Sequence, residues 1–133
     1  MNAADLLEKA KRNLRTARLI LADDDPNSAC NRAYYAIFNA ACAALVVVNQ
    51  PKLAMAKTHS GLVSSFSQHL VKSGEFTPDF GRMLALESKR RIVADYDGDP
   101  ISIEDAAESI ANATQFVDAV EQWISLRAAP PFQ

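Results

Sequence analysis

Apolar positions along this chain recur three and four residues apart, and no stretch alternates apolar and polar residues with the period of two that a half-buried strand requires. Leu7, Leu14 and Leu21, with Ala10 and Ala17 between them, form one such stripe, while Lys9, Lys11, Arg12, Arg15 and Arg18 take the other faces. The pattern predicts an amphipathic first helix. Asp25 then offers a capping carboxylate, and Pro26 suits the first position of a second helix. Ala29, Ala33, Tyr34, Ile37, Ala41, Ala44, Leu45 and Val48 make that second helix apolar nearly all round. Such a helix belongs at the centre of a bundle, or lends one face to the core and another to a partner subunit. Asn49-Gln50-Pro51 closes it, and Leu62, Val63, Phe66 and Leu70 mark a third helix that ends at Ser73-Gly74. Thr77-Pro78 restarts the pattern, with Phe80, Met83, Leu84, Leu86, Ile92 and Val93 carrying a fourth helix up to Asp97-Gly98-Asp99-Pro100. Ser102 caps a fifth, whose Ile103, Ala106, Ile110, Ala113, Val117, Val120 and Ile124 form a bundle-facing seam. The predicted class is all-α, an antiparallel bundle of about five helices over residues 1–127 with residues 128–133 as a C-terminal tail.

The 133 residues fit a single domain, and with 49% of them hydrophobic a core can form without metal or disulfide staples. A net charge of −2 is too small to steer a polyanion over long range, so any nucleic-acid site must be a local one. The first residues open straight into a charged helical pattern with no apolar signal segment, which predicts a cytoplasmic protein. The longest apolar stretch, from Ala33 to Val48, is interrupted by Asn39 and falls short of the ~20 residues of a membrane span, so no membrane association is expected. Cys30 and Cys42 lie twelve residues apart on one predicted helix, about 18 Å at ~1.5 Å per residue, and cannot bridge to each other. They read as compact core hydrophobes.

Few templates for chemistry fit. His59 and His69 are ten residues apart, too far along one helix to share a metal, and no Glu-x-x-His pattern accompanies them, so neither metal nor cofactor is expected. There is no glycine-rich phosphate loop and no Gly-x-Ser-x-Gly elbow. His59, beside Thr58 and Ser60, suits either a helix start or a phosphate or partner contact, and His69 reads as solvent-facing. The densest polar run is Glu87-Ser88-Lys89-Arg90-Arg91, followed by Ala94-Asp95-Tyr96. Arg91 and Asp95 sit one turn apart and can pair. One reading is a surface ion pair at a helix end. In the other, Arg91 holds a phosphate with its planar donor fork, Asp95 fixes its rotamer, Tyr96 stacks or donates, and Arg90 with Lys89 adds positive potential. A second constellation, Arg32-Ala33-Tyr34-Tyr35-Ala36-Ile37-Phe38-Asn39, puts two polar residues, Arg32 and Asn39, on one face of the apolar helix. They either satisfy buried polar groups or line the cleft that contains Arg91. Tyr34 and Tyr35 point to different faces, so one can pack inside while the other meets a ligand or partner.

Arg32 to Phe38, Lys57-Thr58-His59, and Arg91 with Ala94-Asp95-Tyr96, in that order and spacing, resemble the small stand-alone prokaryotic HEPN proteins. The resemblance implies a helical bundle that commonly dimerises, encoded beside a minimal nucleotidyltransferase as a toxin and antitoxin pair. It also implies RNA or nucleotide handling, with active members being metal-independent endoribonucleases marked by Arg, four to six residues, then His. In them the arginine stabilises charge on the scissile phosphate and the histidine assists proton transfer. Arg91 matches the arginine, but Tyr96 stands where the histidine would fall. By this resemblance Arg91, Asp95 and Tyr96 are the catalytic candidates, Arg32, Asn39, His59 and Arg90 the binding candidates, and Tyr96 a candidate acceptor of a nucleotide from the partner enzyme. The competing expectation is a non-catalytic nucleotide-binding or dimeric interaction module.

Overall fold

The computed structural model describes residues 2–48, 59–96 and 100–128, with the backbone alone at His59, Ala94, Asp95, Tyr96 and Ala128. It contains α1 (Ala3–Ala22), α2 (Pro26–Val47), α3 (His59–Phe66), continued by a π-helical turn (Ser67–Val71), α4 (Pro78–Tyr96) and α5 (Ile103–Ala128), and no strand among the described residues. The all-α expectation holds.

The start signals act as short side chains do at helix N-termini, where backbone N–H groups lack partners inside the helix. Asn2 Oδ1 accepts from the Asp5 N–H at 2.8 Å, Asp25 Oδ1 from Ser28 at 3.2 Å, and Ser102 Oγ from Asp105 at 3.0 Å. Between α1 and α2 the chain reverses within three residues, with Asp24 in the left-handed region at φ 60°, which a short polar side chain tolerates better than most. This short connection sets α1 and α2 side by side as an antiparallel pair. The π-helical turn carries one residue more per hydrogen-bonded ring than an α-turn, and ends with Lys72 N–H on Ser67 O at 2.9 Å. Gly74, at φ 88°, then reverses the chain, as the left-handed conformation favours glycine.

The centre is α2, which packs on each of the other helices. Ala29, Ala33, Ala36, Ala40, Ala41 and Ala44 are fully buried along it, so neighbouring backbones approach closely on several sides. Cys30 and Cys42 are core members with no disulfide between them, and burial pushes the Cys42 thiol up to about 11. From α1 the core receives Ala10, Leu14 and Ala17, as the stripe predicts.

Three expectations need correction. Ile103 is not part of the α5 seam: it stands in the first turn, 50% exposed, whereas Phe116, absent from the predicted seam, is fully buried. In α4 the apolar residues Leu86, Ile92 and Val93 are exposed, and the inward stripe is instead Leu84, Glu87, Ser88 and then half-buried Arg91, the same three-and-four spacing written in polar residues. His69 is half-buried on the π-helical turn, where its carbonyl accepts from Ser73 Oγ at 2.8 Å.

Candidate functional site

The inward stripe of α4 ends on Arg91, whose guanidinium carbon lies 5.5 Å from the ring centre of Tyr34 and 5.9 Å from that of Tyr35. The two rings meet edge to face at 5.4 Å. A guanidinium at that distance is drawn to the negative face of an aromatic ring and held in a small range of orientations. Tyr34 is fully buried and hydrogen-bonds with Ser88, one turn before Arg91. Burial pushes its phenol up to about 12, against the opposing pull of Ser88 and Arg91. Tyr34 is therefore a neutral support at pH 7 and no proton acceptor.

Neighbouring Arg90 does a different job, because successive residues on a helix leave the axis about 100° apart. It faces α5 and directs its donors inward, to both carboxylate oxygens of Glu87 at 3.2 Å, to Ser109 Oγ at 2.9 Å and to Glu108 at 3.1 Å. Ser109 in turn donates to Glu87 at 2.5 Å, and Asn112 approaches the other oxygen at 3.5 Å. Glu87 is 1% exposed, so its charge depends on these partners. For Arg90, burial opposes the charged form, but Glu87 and Glu108 outweigh it and raise its pKa. The charge of Arg90 is thus spent on joining α4 to α5. The network fixes the rotation of α4 about its axis, and with it the aim of Arg91.

Arg32 and Asn39 line one concavity of about 430 Å³ between α1 and α2. Lys9 and Asn13 contribute from α1, and Asn31, Tyr35 and Phe38 from α2. Arg32 donates to Asn13 Oδ1 at 3.2 Å. No carboxylate lines this concavity among the described residues. Tyr35 links the two places, since it lines the concavity and its ring centre lies 5.9 Å from the Arg91 guanidinium carbon. The structure therefore brings Arg32, Asn39 and Arg91 around Tyr35 and sets Arg90 apart, in the α4–α5 network. The side chains of His59, Asp95 and Tyr96 lie outside the described residues, so the expected Arg91–Asp95 pairing does too; the α4 backbone continues through both Asp95 and Tyr96.

Sequence reasoning missed Ser88 and Lys9. Ser88 was findable, since Leu84, Glu87, Ser88 and Arg91 follow helical core spacing. Lys9 carries no such signal, being one of five basic residues on α1. Among the described residues no group of three His, Cys, Asp or Glu side chains could hold a metal ion, and no helix is long and apolar enough to cross a membrane.

Comparison with known proteins places the chain in a family. The chain is 31% identical over 123 residues to a UPF0332 protein of Gloeobacter violaceus, covering 91% of this chain and 94% of that one. It is 32% identical over 117 residues to a protein of Methanocaldococcus jannaschii named "Putative toxin", covering 88% and 84% respectively. A UPF0332 protein of Thermotoga maritima is 31% identical over 118 residues, covering 87% of this chain and 86% of the relative. The model of the HEPN domain matches residues 3–123, from the first turn of α1 nearly to the end of α5, and the chain belongs to the HEPN family.

Proposed function

We propose that this HEPN protein is the toxin-like, RNA-handling half of a toxin–antitoxin module, acting in the cytoplasm as a homodimer beside a minimal nucleotidyltransferase antitoxin. The observation that carries the reading is Arg91, set against Tyr34 and Tyr35 where the basic, amide-lined concavity of Arg32 and Asn39 begins. A fixed guanidinium suits a phosphodiester, since its planar donors can meet two phosphate oxygens at once. On RNA it stabilises the negative charge that develops on the scissile phosphate, and a dimer doubles the motif. The name "Putative toxin" of the Methanocaldococcus relative agrees with a toxin-like role.

In this proposal the chain is a metal-independent endoribonuclease with a degenerate motif, Arg91 to Tyr96. A tyrosine with an ordinary pKa near 10 is a weak proton shuttle at pH 7, so the chemistry rests on Arg91 and on positioning. Tyr96 serves instead as the acceptor of a nucleotidyl group that the antitoxin transfers from a nucleoside triphosphate, the phenol oxygen losing its proton and bonding to the α-phosphorus as pyrophosphate leaves, and Tyr96→Phe should abolish that labelling. A second reading, a non-catalytic nucleotide-binding or interaction module, is favoured by the run Ile92 to Tyr96, which contains no histidine. Purified wild-type and Arg91→Ala protein incubated with mixed cellular RNA in EDTA separate the two. Cleavage by wild type alone supports the nuclease; absence of cleavage by folded, dimeric wild type supports the binding module.

A further inference from the structure

We infer that the concavity between α1 and α2 is a subsite for one unpaired nucleotide of an RNA strand that continues to Arg91, its base against Tyr35 and Phe38 and its flanking phosphates on Lys9 and Arg32. The inference rests on the RNA-handling reading and adds to it the place and the recognition chemistry. Three features of the concavity point the same way.

The first is charge. Two cations and no carboxylate line the space, a local excess of positive charge on a chain whose net charge is −2. Arg32 is held by Asn13 at 3.2 Å, which limits its rotamers without neutralising it. The second is the aromatic wall. Tyr35 and Phe38 are both half-buried and both line the space, with ring centres 6.0 Å apart and planes tilted by 58°. Unstacked bases bind aromatic faces, and every base has one.

The third feature is the amide set. Asn13, Asn31 and Asn39 bring carbonyl acceptors and amide donors to the same space, the combination that reads a base edge. Asn31 Oδ1 is buried and accepts no hydrogen bond within the described residues. The volume of about 430 Å³ lies at the small end of ligand pockets, in keeping with a single nucleotide. The ring of Tyr35 joins this space to Arg91, so a strand leaving the concavity meets the guanidinium next. A duplex, whose bases are stacked and paired, cannot place one base between two helices without opening. An acidic peptide would satisfy the cations but leave the rings and amides unused.

The test is fluorescence anisotropy of a labelled eight-nucleotide single-stranded RNA, in EDTA and across a salt series. The proteins are wild type, Lys9→Glu, Arg32→Glu, Tyr35→Leu, Arg91→Ala and Arg82→Glu, the last an exposed cation nine residues before Arg91 on α4. Lys9→Glu and Arg32→Glu should each weaken binding severalfold and make the logarithmic salt slope shallower by roughly 0.7 for each phosphate no longer neutralised. Tyr35→Leu should weaken binding about tenfold with the salt slope unchanged, the signature of missing base stacking. Arg82→Glu should bind as wild type does, and a duplex of the same sequence should bind more weakly than the single strand. If Tyr35→Leu does not fold, the two charge reversals, both on exposed positions, still decide the matter. Binding that depends on Arg91 but not on Lys9, Arg32 or Tyr35 overturns the subsite while leaving RNA handling in place. No RNA binding by folded wild type at low salt overturns both. Tighter binding of a glutamate-rich octapeptide overturns the RNA assignment in favour of an acidic protein segment.

Discussion

Two parts of this small bundle are built on opposite principles. Where the end of α3, the loop before α4, the start of α4 and the second half of α5 meet, the interior is aromatic. Phe66 lies 5.5 Å from Phe76 and 5.4 Å from Phe116, Phe80 is 5.8 Å from Phe116, and Phe76 is 5.1 Å from Trp123. Polar groups are pushed to the rim, where Trp123 donates to Glu75 at 2.8 Å and Arg127 covers the indole at 4.9 Å. Farther along α4 the interior face carries Glu87, Ser88 and Arg91, and three apolar residues of the same helix are left exposed. Stability alone favours the first arrangement, since a buried ion pair gains little over well-packed apolar side chains. A helix that turns charge inward and leucine outward violates local rules, and such violations concentrate at functional sites. The aromatic end maintains the fold, and the polar seam aims an arginine.

That division can be attacked from both sides. The largest effect is expected at the aromatic end: Phe116→Ala should cost about 3–5 kcal/mol in urea unfolding, because a fully buried ring leaves a cavity against Phe66 and Phe80. RNA affinity measured on the folded fraction should not change. Next comes Glu87→Ala, at about 3 kcal/mol, since it strands part-buried Arg90 and buried Ser109. Here RNA affinity should fall as well, as α4 is no longer tied to the partners that set its rotation. Equal functional cost from both substitutions would dissolve the distinction between the two regions.

The smallest effect sharpens the comparison through pH. The Tyr34 phenol stands at about 12 in the folded protein against an ordinary value of 10.0. Between these values the unfolded chain has released the proton and the folded one has not, so the unfolded state binds fewer protons and stability falls as pH rises. The contribution is fully present below pH 10, and about 2–3 kcal/mol should be lost by pH 12, at 1.36 kcal/mol per pKa unit. Urea unfolding at intervals from pH 9 to 12 reads the slope, and Tyr34→Phe should flatten it. An unchanged slope in that variant would detach the alkaline loss from the polar seam.

Periodicity and punctuation carried most of the fold. The α1 stripe, the Asp25-Pro26 start, the Ser102 cap and the break at Ser73-Gly74 depend on interactions within a few residues, and each stands in the structure as the chain spells it. The candidate site was legible in its parts: Arg32 and Asn39 share a concavity, and one tyrosine of the pair is buried while the other lines it. Their gathering around Tyr35, and its adjacency to Arg91, required α1, α2 and α4 to be packed together.

What the chain determined by itself was helix content, helix order and the largely buried character of α2, because backbone capping and apolar spacing are local properties. Tertiary structure decided which face of α4 turns inward, and gave two adjacent arginines different work. It also placed Phe116 inside and Ile103 out. The reason is that a polar residue can be buried only when another element supplies its partner. Ser109, Glu108 and Asn112 do that for Glu87 and Arg90 from across the bundle, eighteen or more residues away in sequence, where no local pattern can show it.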